Sequence, residues 1–147
     1  MEINDVSGVV VDSAMKVHSA LGPGLLESAY EACLVRELRK RGLRAEPQVP
    51  IAVRYDGETL NIGYRADLMV EDCVMVELKS IETLLPIHKA QLLSYLRLSG
   101  KEVGLLINFN VEHLKRHQTG HQFEIKILCG LCGLCVVIPL ASSAVLS

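Results

Sequence analysis

Two helical patterns, then a block of strands, then a helix and a further strand predict an α/β sandwich: a mixed central β-sheet flanked by helices. Three observations carry that expectation. Apolar residues recur at three- and four-residue steps over 6–21 and again over 25–41; the texture alternates around an Asp-Gly bend over 49–67; and residues 103–109 form a nearly uncharged run. The chain has 147 residues, half hydrophobic and 22% charged, which suits one folded domain and not disorder.

The first helix is read from Val6, Val9, Val10, Ala14, Val17 and Leu21, and Gly22-Pro23-Gly24 ends it, since two glycines around a proline favour a turn. The second carries Leu26, Ala29, Tyr30, Cys33, Leu34 and Leu38 on its apolar stripe. Arg36, Arg39, Lys40 and Arg41 crowd its last turns, where cations suit the helix dipole, and Gly42 caps it. After Pro47, runs over 49–55 and 59–67 read as a hairpin bent at Asp56-Gly57. Residues 74–79 alternate, with Met75, Glu77 and Lys79 on one face and Val74, Val76 and Leu78 on the other. Pro86 opens a helix to about residue 98, buried through Ala90, Leu92, Leu93 and Leu96, and Gly100 ends it. The run over 103–109 is a strand buried on both faces, and 123–128 reads as one more.

The net charge of -2 offers no global field for a polyanion, so a nucleic acid would have to be held by local patches or a bound cation. The arginines ending the second helix are one such patch, although a solvated helix terminus accounts for them equally. Five cysteines, three of them crowded near the end, do not resemble a secreted disulfide framework, and no leader is visible, so a cytoplasmic location is expected.

The chemistry lies in Glu77 and Lys79, an acid and an ammonium on one strand face, suited to holding a divalent cation and orienting water. Asp67 precedes them on the adjoining strand. A two-residue turn at Glu71-Asp72 would set Asp67 opposite Val76, on the wrong face. We therefore expect a bulge near Asp67, or a longer turn taking in Cys73, that brings the two carboxylates to one cation. Gln91 and Tyr95, four apart on the next helix, present hydrogen-bonding groups suited to a phosphate or a supporting role. Glu27 opens the second helix, where the dipole alone would favour an acid.

The run Gly24-Leu25-Leu26-Glu27-Ser28-Ala29-Tyr30 resembles the motif of the GxxExxY proteins, a branch of the PD-(D/E)xK nuclease superfamily. Gly63 to Asp67, Val76 to Lys79, Gln91 to Tyr95 and Gly104 to Phe109 resemble that group's further blocks, in order, over roughly residues 5–116. Ala66 stands where many relatives have proline. The resemblance implies a restriction-endonuclease-like core over 1–128 and a Mg²⁺- or Mn²⁺-dependent nuclease acting on DNA or RNA, without a small-molecule cofactor. Glu27, Asp67 and Glu77 would bind the metal, Lys79 would assist the attacking water, and Gln91 and Tyr95 would support the site; Tyr30 is expected to face the core with its hydroxyl near it. The alternative is a catalytically weak or inactive module that binds nucleic acid or protein on the same fold.

Several features sit outside this scheme. Residues 129–147 form an apolar tail with Cys129, Cys132 and Cys135, a CxxCxxC run that could supply thiolates for zinc or an iron–sulfur cluster, with Cys33 as a fourth. Its setting of leucine, valine and glycine argues against a cluster. Residues 127–147 carry no charge and are long enough to span a bilayer, but the early glycines, Pro139 and the lack of a following cation oppose a membrane role. His113, His117 and His121 would share a helix face, which Gly120 weakens, and His18 and His88 are expected as surface or satisfied side chains.

Overall fold

A computed structural model of the chain describes residues 1–111, 124–130 and 135–137. Two helices, α1 (Ile3–Leu21) and α2 (Glu27–Lys40), precede the hairpin β1 (Ala45–Tyr55) and β2 (Glu58–Val70), then β3 (Val74–Lys79), α3 (Pro86–Ser99), β4 (Val103–Asn108), β5 (Glu124–Cys129) and β6 (Cys135–Val137). The strands lie side by side in chain order in one sheet, antiparallel except for the β3–β4 pair, which runs parallel. That pair is joined through α3, as a parallel crossover requires. The expected α/β architecture, a mixed sheet with flanking helices, is therefore present.

Each sheet face has its own core. On one, Val6, Val10, Ala14 and Val17 of α1 and Tyr30, Leu34 and Leu38 of α2 cover Leu68, Val76, Leu78, Leu105 and Ile107. On the other, Leu92, Tyr95 and Leu96 of α3 cover Ala66, Met69, Met75 and Leu106. Ala90, expected on the buried side, is exposed because it lies across α3 from Leu92 and Leu96, whereas Tyr95 is buried beside them. β4 is buried on both faces from Gly104 to Asn108, as its composition predicts.

The break between α1 and α2 is held by glycine backbone and one tyrosine. Gly22 and Gly24 take φ of 68° and 97°, open to glycine at little cost. The fully buried Tyr30 donates its hydroxyl hydrogen to the Gly22 carbonyl and accepts from the Leu25 N–H at 3.3 Å, while its ring stacks on Phe109 with centroids 4.3 Å apart. Tyr30 thus faces the core as expected, but its hydroxyl is engaged by this turn and not by the carboxylates. His18 is buried against Phe109, with ring centroids 6.3 Å apart, where a surface position was one expectation. His88 is satisfied, accepting from the Leu85 N–H at 2.9 Å and so capping α3.

Of the tail, β5 extends through Cys129 and β6 pairs with it. His113, His117, His121, Cys132 and Pro139 lie outside the described residues, and with them the histidine stack and the CxxCxxC run. Among the described residues no helix is long and apolar enough to cross a membrane.

Candidate active site

The connection between β2 and β3 decides whether the acids meet. Its turn takes in three residues, so Val70 pairs with Val74, Met69 with Met75 and Leu68 with Val76. Continued by one step, that register sets Asp67 opposite Glu77. This is the longer turn including Cys73 that the face argument demands. Glu71 and Asp72 adopt φ of 52° and 54°, a left-handed conformation that costs a non-glycine residue about 1 kcal/mol each. Contacts from outside the hairpin hold them there. The Glu71 N–H donates to the Arg44 carbonyl at 2.9 Å and its carboxylate accepts from the Arg44 N–H, while Lys101 Nζ donates to the Asp72 carbonyl at 2.7 Å and to Oδ1 at 3.0 Å.

A second irregularity lies at Asp67 itself. Ala66 belongs to the α3-side core and Leu68 to the α1/α2-side core, although residues two apart on a regular strand share a face. Across the hairpin, Pro47 pairs with Leu68 and Val49 with Ala66, leaving Gln48, at φ 55°, opposite Asp67. Asp67 consequently turns from β1 toward β3. Its N–H donates to Glu77 Oε1 at 3.2 Å, and its Oδ2 accepts from the Leu78 N–H at 2.8 Å. Of the two alternatives the longer turn is the one present: the pairing register runs unchanged past Asp67, and the irregularity there is a kink at Gln48 and not an inserted residue.

Glu77 is only 5% exposed. Burial, then the charge of Asp67 beside it, push its carboxyl from the usual 4.5 up to about 8, against the smaller opposing effects of the Asp67 N–H and the Lys79 ammonium. Lys79 itself is half-buried at the end of β3. Tyr95 is buried on the same face; burial raises its phenol pKa most, with the charges of Glu77 and Asp67 adding to it. Gln91 is exposed and donates to the Tyr95 hydroxyl at 3.1 Å, so it meets the site through Tyr95.

Glu27 reaches the site from the other layer. Its Oε1 accepts the Ser80 N–H at 3.2 Å, and Ser80 Oγ donates to the Leu25 carbonyl at 2.7 Å, tying the start of α2 to the residue after Lys79. Three polar residues near the site were passed over by sequence reasoning. Asn108, buried opposite Lys79 in β4, receives the Ile81 N–H at 3.2 Å and donates to its carbonyl at 2.9 Å, shaping the chain beyond β3. Glu31, half-buried, has its carboxyl raised by burial and further by the charge of Asp67, and it accepts from Gln48 Nε2 at 2.7 Å. Its spacing of four from Glu27 was a legible signal; nothing in the sequence marks Gln48.

The structure therefore sets Glu77, Lys79 and Tyr95 on one sheet face with Asp67 turned against β3 beside Glu77, Gln91 behind Tyr95, and Glu27 and Glu31 approaching from α2. Among the described residues no three acidic, histidine or cysteine side chains are gathered closely enough to hold an ion by themselves. The donor chemistry nevertheless fits a hard divalent cation: two apposed carboxylates, one forced toward protonation by burial beside the other, are a pair whose repulsion such an ion would relieve.

Asp67 and the Glu77-x-Lys79 pair thus meet on one mixed sheet, with Glu27 of the preceding helix layer tied in through Ser80. Residues 4–120 match the model of the PD-(D/E)XK nuclease superfamily, and the chain belongs to that superfamily. No characterised protein and no solved structure is similar enough to count as a match.

Proposed function

We propose that the protein is a Mg²⁺- or Mn²⁺-dependent nuclease that hydrolyses phosphodiester bonds in DNA or RNA, within the GxxExxY branch whose motif Gly24 to Tyr30 resembles. The observation that carries the reading is the pairing of half-buried Asp67 with buried Glu77 beside Lys79. Asp67 and Glu77 would hold the cation, with Glu27 as a third ligand, direct or through water. When bound, the ion supplies charge relief on the phosphate and a more acidic water. The ammonium of Lys79 orients and polarises the attacking water, while Tyr95, fixed by Gln91, offers its phenol hydrogen toward the phosphate. The nuclease-like domain is placed at 1–128, and the apolar segment 129–147 adds β6 to the edge of its sheet; a cytoplasmic setting fits the cysteine usage.

The outer face of α2 supports a nucleic-acid partner. Ala32, Val35, Arg36, Arg39 and Lys40 line a shallow concavity of about 600 Å³ that contains no acid, and cations there match a phosphate backbone. A weak or inactive binding module is the second reading. The engagement of Glu27 with the Ser80 backbone, in place of the other two acids, favours it. Incubating the purified protein with single- and double-stranded DNA and RNA plus Mg²⁺ or Mn²⁺, beside Asp67→Ala and Lys79→Ala, separates the two. Metal-dependent cleavage lost in both variants supports the nuclease; inactivity with retained binding supports the module.

A further inference from the structure

Gln48 is a left-handed, non-glycine residue inside a strand, a conformation that persists only where its surroundings impose it. Two contacts impose it. Its side-chain amide donates to Glu31 Oε2 at 2.7 Å across the gap to α2, and its carbonyl accepts from Arg65 Nη1 at 3.2 Å across the hairpin. Gln48 lies opposite Asp67, where the sheet's face alternation breaks and where the Asp67 N–H leaves β1 for Glu77.

The geometry points to Glu31 and Gln48 as a positioning pair: the hydrogen bond between them holds β1 in its kink, and the kink turns Asp67 out of the β1–β2 ladder and against β3. Were β1 to relax to regular strand geometry, Gln48 and Asp67 would face each other as ordinary ladder partners, and the Asp67 N–H would be drawn back toward β1. The Leu78 N–H would then lose its acceptor. Glu31 is thus neither a second copy of Glu27 nor a surface acid; it acts on Asp67 through Gln48. The functional weight of the pair rests on the proposed role of Asp67 as a metal ligand, whereas its geometry does not.

Amide hydrogen exchange at Leu78 and Asp67, referenced to the ladder amide of Val76, reads the geometry without metal or substrate. Glu31→Ala and Gln48→Ala remove the bond; Glu31→Gln keeps an acceptor, and Gln48→Gly adopts the left-handed conformation unaided. In the two alanine variants the Leu78 and Asp67 amides should exchange roughly tenfold faster relative to Val76, whereas Glu31→Gln and Gln48→Gly stay near wild type. Unchanged exchange in both alanine variants, or a Gln48→Gly variant as perturbed as Gln48→Ala, overturns the inference. Titration with Mn²⁺ alone should show about tenfold weaker binding in the alanine variants. A wild-type protein that binds no Mn²⁺ would remove the ligand reading of Asp67, with the exchange data still deciding the clamp.

Discussion

Replacing Glu77 by glutamine should stabilise the metal-free protein while destroying its proposed chemistry, because holding this carboxylate ionised destabilises the fold. The native carboxyl titrates at about 8 against 4.5 ordinarily. Between those values the native state keeps a proton that the unfolded chain has lost, so the contribution of this carboxyl to stability falls as pH rises through that window and is flat on either side. At about 1.4 kcal/mol per pH unit the full penalty above pH 8 is roughly 4 to 5 kcal/mol, an upper figure for a carboxyl coupled to Asp67. In the Glu77→Gln variant the new amide oxygen would still accept the Asp67 N–H, and the side chain would not titrate. At about 3 °C per kcal/mol for a chain of this size that upper figure corresponds to roughly 12 to 15 °C, so the variant should melt above wild type by up to that much at pH 8.5 without metal, and together with it at pH 4.5. Saturating Mn²⁺ should raise the wild-type midpoint and leave Glu77→Gln unmoved, since the ion stabilises only a state that binds it. Thermal melts of both proteins from pH 4.5 to 8.5, with and without Mn²⁺, make the comparison. Parallel curves across the whole range would refute the argument that a strained carboxylate pair forms the site.

Lys79 is half-buried and makes no ion pair among the described residues, so Lys79→Ala should change the melting midpoint little while lowering the cleavage rate roughly 10²- to 10³-fold in a steady-state assay. Tyr30→Phe removes the hydroxyl shared by Gly22 and Leu25 and should cost about 1 to 2 kcal/mol in urea denaturation, without altering Mn²⁺ affinity; a loss of affinity would place that hydroxyl in the site after all. On the outer face of α2, Arg36→Ala combined with Lys40→Ala should flatten the salt dependence of duplex binding, measured by anisotropy in EDTA, by about two units of logarithmic slope. An unchanged slope would move the nucleic acid to another surface.

Much of the fold is legible locally. The periodicity of α1 and α2, the Asp56-Gly57 bend, the alternation of β3 and the bland run of β4 each report the environment of their own side chains, and each forms within a few residues of where the pattern puts it. The site is legible as a set of residue types, because Glu77 and Lys79 share a face by covalent geometry alone. Ala90 and Tyr95 show the limit of such reading. Hydrophobicity alone puts Ala90 inside, whereas it lies across the helix from Leu92 and stays exposed, and packing over Met75 and Leu106 buries the amphipathic Tyr95.

What the sequence determined unaided is therefore the elements, their order and the superfamily that the motif blocks mark. Which acids meet was decided elsewhere. The face of Asp67 depends on the parity of a turn whose left-handed residues are held by Arg44 and Lys101, far away in the chain, and on a kink opposite Gln48 tied to Glu31 in another layer. A strand pattern fixes which residues share a side. One residue more or less in a connection reverses which side meets its neighbour, and the energies that choose come from contacts between segments that no local pattern contains.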